Sequence, residues 1–201
     1  MSYREAHQEL ELLWKVKISK GGMRDVTMRH GHVADALIKE KAAYLEATAP
    51  APTAQPEQMV MCTDGAMVQL TSGEWREVKT VTFGEFRAHW DAKARKVVTK
   101  TDNISYFSRV ETAEKFSHSA LVEWHRRGGE NAHTMVAVQD GALWIQSFID
   151  YHCPQAVRVI DFAHALEYVA TVGRTIHGAE TEAFQQWYAR MAKQLGRQPP
   201  Q

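Results

Sequence analysis

The stretch TMVAVQDGALWIQSFIDYHCPQAVRVIDFAH, residues 134–164, decides the fold. It opens with a continuous apolar run at residues 134–138, the kind of run that a buried parallel strand requires. A short helix follows, with apolar residues at helical spacing: Trp144, Ile145 and Phe148. Residues 156–160, AVRVI, supply another strand. A strand, a helix and a strand in this order predict a right-handed crossover between two parallel strands.

Three more strands are predicted upstream of this unit. Residues 59–70 read as extended, the turn at Ser72-Gly73 reverses the chain, and residues 75–81 alternate apolar and polar side chains. A polar, basic segment at residues 92–100 then leads to a third strand at residues 104–108. This pattern predicts a meander of three antiparallel strands.

Helices complete the order of elements. Thr112 is predicted to cap a helix that buries Phe116, Ala120, Leu121 and Trp124 and ends at Gly128-Gly129. Further helices are predicted after residue 161 and at residues 181–195. The resulting order, β-β-β-α-β-α-β-α, predicts an α/β fold of the ribonuclease-H-like class, whose mixed sheet has three antiparallel strands followed by two βα units. An element order of this kind does not by itself define a function.

The first part of the chain is a predicted helical arm, residues 1–50, in which Gly21-Gly22 breaks one amphipathic helix from the next. Residues 51–57 form a linker, because prolines and small residues replace the apolar periodicity from about residue 47 onward. The predicted ribonuclease-H-like core occupies residues 58–175. We therefore place the domain boundary in the proline-containing segment.

Composition narrows the classes of function. Lys and Arg number 24 and Asp and Glu also number 24, so any contact with nucleic acid must come from a local patch. Cys62 and Cys153 are far apart and form no Cys-x-x-Cys pair, which argues against a zinc ribbon or a disulfide framework and fits a reducing compartment, the cytoplasm. No apolar run approaches the roughly 20 residues that span a bilayer, so we expect no membrane partner.

Two Asp-Gly pairs are the first candidate site. Asp64-Gly65 falls in the middle of the first strand and Asp140-Gly141 at the end of the fourth. If these strands are neighbours, the two carboxylates converge and repel each other unless a cation lies between them. A pair of Mg²⁺ ions about 4 Å apart would satisfy both carboxylates and suit phosphodiester chemistry. The alternative is that each pair is an ordinary turn.

Other polar groups carry weaker signals. Asp161 precedes a helix as an N-cap, with His164 in the first turn, and the capping role is favoured on the residues alone. Glu77 is flanked by apolar and basic residues and either faces the site or belongs to a solvated strand face. A basic run is suited to a phosphate backbone, although most such runs are solvated loops: Lys93, Arg95, Lys96 and Lys100. The pairs His30/His32 and His118/His125 lack companion ligands for zinc.

At these positions the sequence resembles the insertion-sequence DDE transposases of the ISKra type, within the Mutator-like group. The resemblance is carried by CTDGAMVQL at residues 62–70, ISYFSRVETAEKF at 104–116, VQDGALWIQSFIDYHCPQAVRVIDFAHALEYV at 138–169 and FQQWYARMAKQL at 184–195. It extends over most of the chain after Asp64, and the block that begins at residue 138 is the most specific part.

The resemblance implies that Asp64 and Asp140 are the first two catalytic, metal-binding aspartates and that Asp161 and His164 match a family signature near the site. The implied activity is DNA transposition: nicking at transposon ends, then attack of the freed 3′-hydroxyl on target DNA, with Mg²⁺ or Mn²⁺ as the cofactor. The implied partner is DNA, both transposon ends and target. The implied location is the bacterial cytoplasm at the nucleoid, and the oligomeric state stays open, a homo-oligomer included.

The departures from the family pattern concern the third acid. The family's catalytic Glu follows a helical insertion, and residues 176–201 resemble only the start of that insertion. Glu167, Glu180 and Glu182 come too early to match, so no third catalytic Glu is found. We expect a truncated, inactive fragment of a mobile element. The alternatives are a non-catalytic DNA-binding or interaction module derived from a transposase, and a stand-alone ribonuclease-H-like nuclease.

Overall fold

A computed structural model describes residues 3–196, and the chain divides into two units after Ala51. The first unit holds two helices, α1 (Tyr3–Trp14) and α2 (Lys20–Thr48). The predicted break at Gly21-Gly22 is wrong, because both glycines lie in the first turn of α2. The Ser19 side chain caps this helix by accepting a hydrogen bond from the Gly22 N–H, which stabilises a helical start that glycine propensity disfavours.

The second unit is built on one five-stranded sheet. Its strands, in chain order, are β1 (Gln58–Gln69), β2 (Trp75–Asp91), β3 (Lys96–Arg109), β4 (Thr134–Gln139) and β5 (Val157–Ile160). Their spatial order is β3-β2-β1-β4-β5. The first three strands pair antiparallel, whereas β4 is parallel to β1 and β5 is parallel to β4. The predicted α/β class and the mixed sheet of three antiparallel strands followed by parallel ones are confirmed.

Helices connect and follow the parallel strands. They are α3 (Ala113–Arg126), α4 (Leu143–His152), α5 (Phe162–His177) and α6 (Glu182–Leu195), which with α1 and α2 make six α-helices in residues 3–196. The predicted cap at Thr112 is confirmed, since its side chain accepts a hydrogen bond from the Lys115 N–H. α6 falls within the predicted insertion at residues 176–201, whose last five residues lie outside the described part of the chain.

The hairpin between β2 and β3 is longer than the sequence predicts. Of the polar segment at residues 92–100, only residues 92–95 form a turn, because β2 continues to Asp91 and β3 already begins at Lys96. Cross-strand pairing uses main-chain hydrogen bonds, which polar side chains do not prevent. An irregular register between Phe83 and Glu85 marks the place where the outer half of the hairpin begins.

One face of the sheet carries the core. Alternate residues of β1 and β2 are fully buried on this face, and the aromatic side chains of α3 and α4 cover them: Met59, Met61, Val81, Phe83, Phe116, Trp124 and Phe148. The Phe83 and Trp124 rings lie 5.8 Å apart, and the Phe116 and Phe148 rings 5.4 Å apart. Each such side chain contributes roughly 1.5–3 kcal/mol through burial. Intervening residues, Asp64 among them, therefore face the opposite side.

α5 and α6 pack against each other through a close approach at Gly173. A Cβ atom there would lie 2.6 Å from the ring of Trp187, so only glycine admits the indole. Arg174 adds a contact over the Phe184 ring at 5.7 Å. Within residues 3–196, no helix combines the length and the apolar character needed to cross a bilayer.

His152 makes the stability of this core depend on pH. Both of its ring nitrogens are buried without a hydrogen-bond partner in the described residues, and its ring lies 4.5 Å from that of Phe148. Burial lowers the pKa of His152 from 6.5 to about 3. Its neutral form is therefore favoured in the folded state, and the associated stability is fully present above pH 6.5 and is lost as the pH falls toward 3.

We expect the free energy of unfolding to decrease by about 2 kcal/mol between pH 7 and pH 5 through this residue alone. Urea denaturation at both pH values measures it. A His152→Phe variant, which keeps an aromatic ring but cannot be protonated, should lose that part of the pH dependence. An identical pH dependence in wild type and variant would show that His152 is not responsible.

Candidate functional site

Asp64 and Asp140 lie opposite each other on neighbouring parallel strands. The last residues paired between β1 and β4 are Cys62 and Val138, and two positions further along both strands are Asp64 and Asp140. Adjacent strands are about 4.8 Å apart, and residues opposite each other point to the same face. The two aspartates therefore stand side by side at the carboxyl end of the parallel strands, as the sequence predicts.

Asp161 extends the same row onto β5. β4 and β5 pair up to Gln139 and Ile160, so the next residue of each, Asp140 and Asp161, are again opposite. A hydrogen bond of 2.8 Å from the Asp161 N–H to the Gln139 carbonyl holds this register. Three aspartates from β1, β4 and β5 thus form one row, although only two were predicted to meet.

The row borders an open cavity of about 430 Å³ on the face opposite the aromatic core. The cavity is lined by Cys62, Thr63, Asp64, Thr80, Thr82, Val138, Gln139, Asp140, Asp161 and His164. Three carboxylates share this space with one histidine, and no lysine or arginine belongs to the lining. A site of this composition has an excess of negative charge, which attracts cations.

Each aspartate uses one oxygen to shape its own backbone. The Oδ1 atoms accept hydrogen bonds of 2.7 Å from the N–H groups of Gly65, Ala142 and Ala163, respectively. Within residues 3–196, no donor contacts the second oxygen, Oδ2, of Asp64, Asp140 or Asp161. Each carboxylate is held by a local hydrogen bond and keeps one oxygen for a ligand.

The two Asp-Gly pairs differ structurally. Gly141 has a φ of +98°, and a Cβ atom there would lie 2.8 Å from Tyr168 Oη, which also donates a 3.0 Å hydrogen bond to the Asp140 carbonyl. Gly65 is within β1 and not in a turn, and a Cβ atom there would lie 2.3 Å from the Glu77 carboxylate. The turn alternative is therefore wrong for the first pair, and it is at Gly141 that the positive φ requires glycine.

His164 faces the aspartates. It lines the cavity together with Asp140, and its Nδ1 atom is 3.7 Å from Asp161 Oδ1. The Nδ1 atom is buried and has no hydrogen-bond partner among the described residues. Asp161 also serves as the N-cap of α5, so the capping and site interpretations of this residue are compatible.

Glu77 does not face the cavity. In the antiparallel register, Thr80 lies opposite Asp64 and Lys79 opposite Gly65, so Glu77 and Lys79 share the core face. Glu77 forms an ion pair with the buried Lys79, whose ammonium lies over the Trp144 ring at 5.3 Å. Glu77 therefore neither faces the site nor belongs to a solvated strand face, which were the two alternatives from the sequence. Its ion pair with Lys79 lies at the edge of the core.

The remaining glutamates considered as third acids also lie elsewhere. Glu167 is on an exposed face of α5, Glu180 is in the turn before α6, and Glu182 is the first residue of α6; none of the three lines the cavity. Within residues 3–196, the third carboxylate of the site is that of Asp161. The resemblance implies that Asp161 belongs to a signature near the site, but its alignment with Asp140 depends on the register of β5 against β4, which no local pattern encodes.

Cys62 and the two threonines are site residues that sequence reasoning overlooked. Cys62 precedes Asp64 by two positions and so lies on the same face, and Thr80 and Thr82 are opposite these two residues on β2. Burial, and secondarily the charge of Asp161, raise the pKa of the Cys62 thiol, which keeps it protonated. Period-two alternation around Asp64 was the available signal.

The carboxylate oxygens of the site are the type of ligand that a hard divalent cation binds. Mg²⁺ and Mn²⁺ take carboxylate oxygens and complete their shells with water, and Asp64 and Asp140 offer such oxygens from adjacent strands. In the described part of the chain, no group of three or more His, Cys, Asp or Glu side chains is already arranged as a metal cage. The residues would therefore hold a cation through few protein ligands and several waters.

We expect weak Mn²⁺ binding in calorimetry that Asp64→Asn and Asp140→Asn each abolish, because either change halves the carboxylate pair. Glu74→Gln is the matched control, since this exposed carboxylate contacts Arg76 outside the cavity. Equal affinity in all four proteins would rule out a cation site at the aspartate row.

Asp161→Ala should lower the free energy of unfolding by about 1 kcal/mol through loss of the cap of α5. Asp161→Asn should restore most of this stability, because asparagine caps helices equally well without the charge. Urea denaturation distinguishes the two variants. If both lose the same stability, the negative charge and not the cap is what matters at this position.

No family model matches this chain, and no curated protein matches its sequence. The interpretation of the site therefore rests on its geometry: the strand register, the shared cavity and the unpaired carboxylate oxygens.

Proposed function

We propose that this chain is a ribonuclease-H-like domain of the DDE transposase type, with a metal-dependent site for DNA phosphodiesters built on Asp64 and Asp140. One observation carries the proposal. The β1–β4 register sets the two aspartates side by side at the carboxyl end of parallel strands, on the face away from the core. Ligands of α/β sheets commonly bind at this end of the strands.

The topology supports the same proposal. Three antiparallel strands precede two parallel ones, and β1 is central, between β2 and β4. This arrangement agrees with the ribonuclease-H-like class proposed from the order of elements. It brings an aspartate within β1 next to one that follows β4, although the two are 76 positions apart in the sequence. An ordinary pair of turn aspartates would not share a strand register and a cavity.

In this proposal Asp64 and Asp140 would hold the cations through their Oδ2 atoms, while the backbone hydrogen bonds at Oδ1 fix each carboxylate. Two Mg²⁺ ions would supply activation of the nucleophile and stabilisation of the leaving oxygen. His164 stands beside Asp161, with its Nδ1 atom 3.7 Å from Asp161 Oδ1, and would present its ring to a DNA phosphate in the cavity. The exposed position of Asp64 leaves the row open to a large substrate.

The proposal includes that this polypeptide does not cleave or join DNA by itself. Within residues 3–196 no glutamate lines the cavity, and the third carboxylate there is that of Asp161, whose Oδ1 atom caps α5 and leaves Oδ2 for a ligand. A second metal ion would therefore be held by one Asp161 oxygen and by water, and a displacement of about 1 Å can reduce the rate a hundredfold. The same observation favours the second candidate, a non-catalytic DNA-binding module derived from a transposase.

The test is to incubate the purified protein with supercoiled plasmid and Mn²⁺ beside an Asp64→Ala control. We expect equal, background levels of nicked plasmid from both proteins, because neither assembles a complete two-metal site. Nicking by the wild type that Asp64→Ala lacks would contradict the expected inactivity. An Asp161→Asn variant would then determine whether Asp161 is the third ligand, since it keeps the cap and removes the charge.

Transposon origin has its own test in the flanking genomic DNA. We expect inverted repeats around the gene. Their absence would argue against a transposon origin and favour a stand-alone nuclease. Cleavage of an RNA–DNA hybrid by the wild type, absent from Asp64→Ala, would establish that alternative.

A further inference from the structure

The outer half of the β2–β3 hairpin is a two-stranded ribbon that leaves the sheet. Pairing between β1 and β2 reaches its limit at Met59 and Glu85, and beyond Glu85 the only partner of β2 among residues 3–196 is β3. We call residues 86–101 the ribbon. Its pairs run from Phe86 opposite Thr101 to Asp91 opposite Lys96.

The ribbon concentrates positive charge in a chain that is neutral overall. It has five Lys or Arg residues and one acid, a net charge of +4, against a net charge of zero for the whole sequence. All five cations are exposed: Arg87, Lys93, Arg95, Lys96 and Lys100. The acid, Asp91, shapes the turn by accepting hydrogen bonds of 2.8 and 3.0 Å from the N–H groups of Lys93 and Ala94.

Few acidic side chains in the described part of the chain form ion pairs with these cations. Among residues 3–196, Lys100 alone of the five has an ion-pair partner, Asp102 at 3.1 Å, and both side chains of that pair are more than half exposed. Arg87 lies directly opposite Lys100 in the cross-strand register. Like charges directly opposite each other are destabilising, so these two cations do not stabilise the fold. A bound polyanion would remove that repulsion.

The base of the ribbon is fixed by specific contacts. Asn103 adopts a left-handed conformation with a φ of 51°, and its side chain donates a 2.7 Å hydrogen bond to Glu85. A Cβ atom at Gly84 would lie 2.6 Å from the Thr101 side chain, so glycine permits the close strand approach. The bulge therefore sets the direction of the ribbon before any partner binds.

We propose that the ribbon is a docking surface for duplex DNA, gripping phosphates through its lysines and arginines. A two-stranded β-ribbon fits the major groove of B-DNA, about 12 Å wide, with cations reaching the phosphates on both sides. The inference rests on the proposed function only in choosing DNA among polyanions. The charge, exposure and geometry of the ribbon do not depend on the aspartate row.

The ribbon is remote from the aspartates. Asp64 lies opposite Thr80, and Arg87 is seven residues further along β2, a distance of about 23 Å at 3.3 Å per residue. This equals the rise of about seven base pairs. The ribbon is therefore an anchoring surface and takes no part in phosphodiester chemistry.

The experiment is fluorescence anisotropy of a labelled duplex of about 25 base pairs, titrated with the full chain over a range of salt concentrations. The triple variant Lys93→Ala/Arg95→Ala/Lys96→Ala should weaken binding at low salt on the order of tenfold or more. It should also reduce the slope of log K against log salt by about 2.7, which is 0.9 for each lost phosphate contact.

The matched control removes three exposed cations from the helices, Lys115→Ala/Arg190→Ala/Lys193→Ala, and should retain the wild-type slope. Circular dichroism establishes that both triple variants are folded. Equal losses in the two triple variants, or none, would overturn the ribbon assignment. Tighter binding to the single strand or to anionic phosphatidylserine vesicles than to duplex would also overturn it. The titrations contain EDTA and no divalent cation, so they report on the ribbon, whereas Mn²⁺ calorimetry reports on the aspartate row, and failure of the metal site and failure of the ribbon are separate results.

Discussion

The pairing of β4 with β1 on one side and β5 on the other is the interaction on which the candidate site depends. Main-chain hydrogen bonds in this part of the sheet fix which residues stand opposite each other. A slip of one position would turn Asp140 to the core face and leave Asp64 alone. Buried Met61 and Ala137, opposite each other on β1 and β4, prevent that slip because it would expose their apolar side chains.

The two faces of the sheet differ in role, because one carries the packed core and the other carries the candidate site. α3 and α4 cover one face with aromatic rings, and the ion pair of Glu77 and Lys79 lies at the edge of that core. The other face stays open beside the aspartates, where α5 begins at Asp161. Rigid packing on the covered face holds the strand ends in register, so the acidic residues can be placed close together despite their mutual repulsion.

The net charge of the sequence is zero, but its charged side chains are distributed very unevenly. Negative charge collects in the cavity at the carboxyl ends of β1, β4 and β5, and positive charge collects on the ribbon, which extends past the amino end of β1. Such a distribution suits a partner that is itself a polyanion and carries cations to the acidic site. The phosphate contacts proposed for the ribbon would position nucleic acid without reading its sequence.

Sequence alone determined the elements and the first pair of acids, because local periodicity, capping residues and turn residues encode strands, helices and their order. Asp64 and Asp140 could be paired from that order, since a right-handed crossover sets their strands side by side. Only the tertiary structure placed Asp161 in the same row and Glu77 on the opposite face, because strand register arises from packing between distant segments. The tertiary structure also decided that residues 86–101 form a paired ribbon. Main-chain hydrogen bonds do not depend on the type of side chain, so this pairing cannot be predicted from a polar sequence.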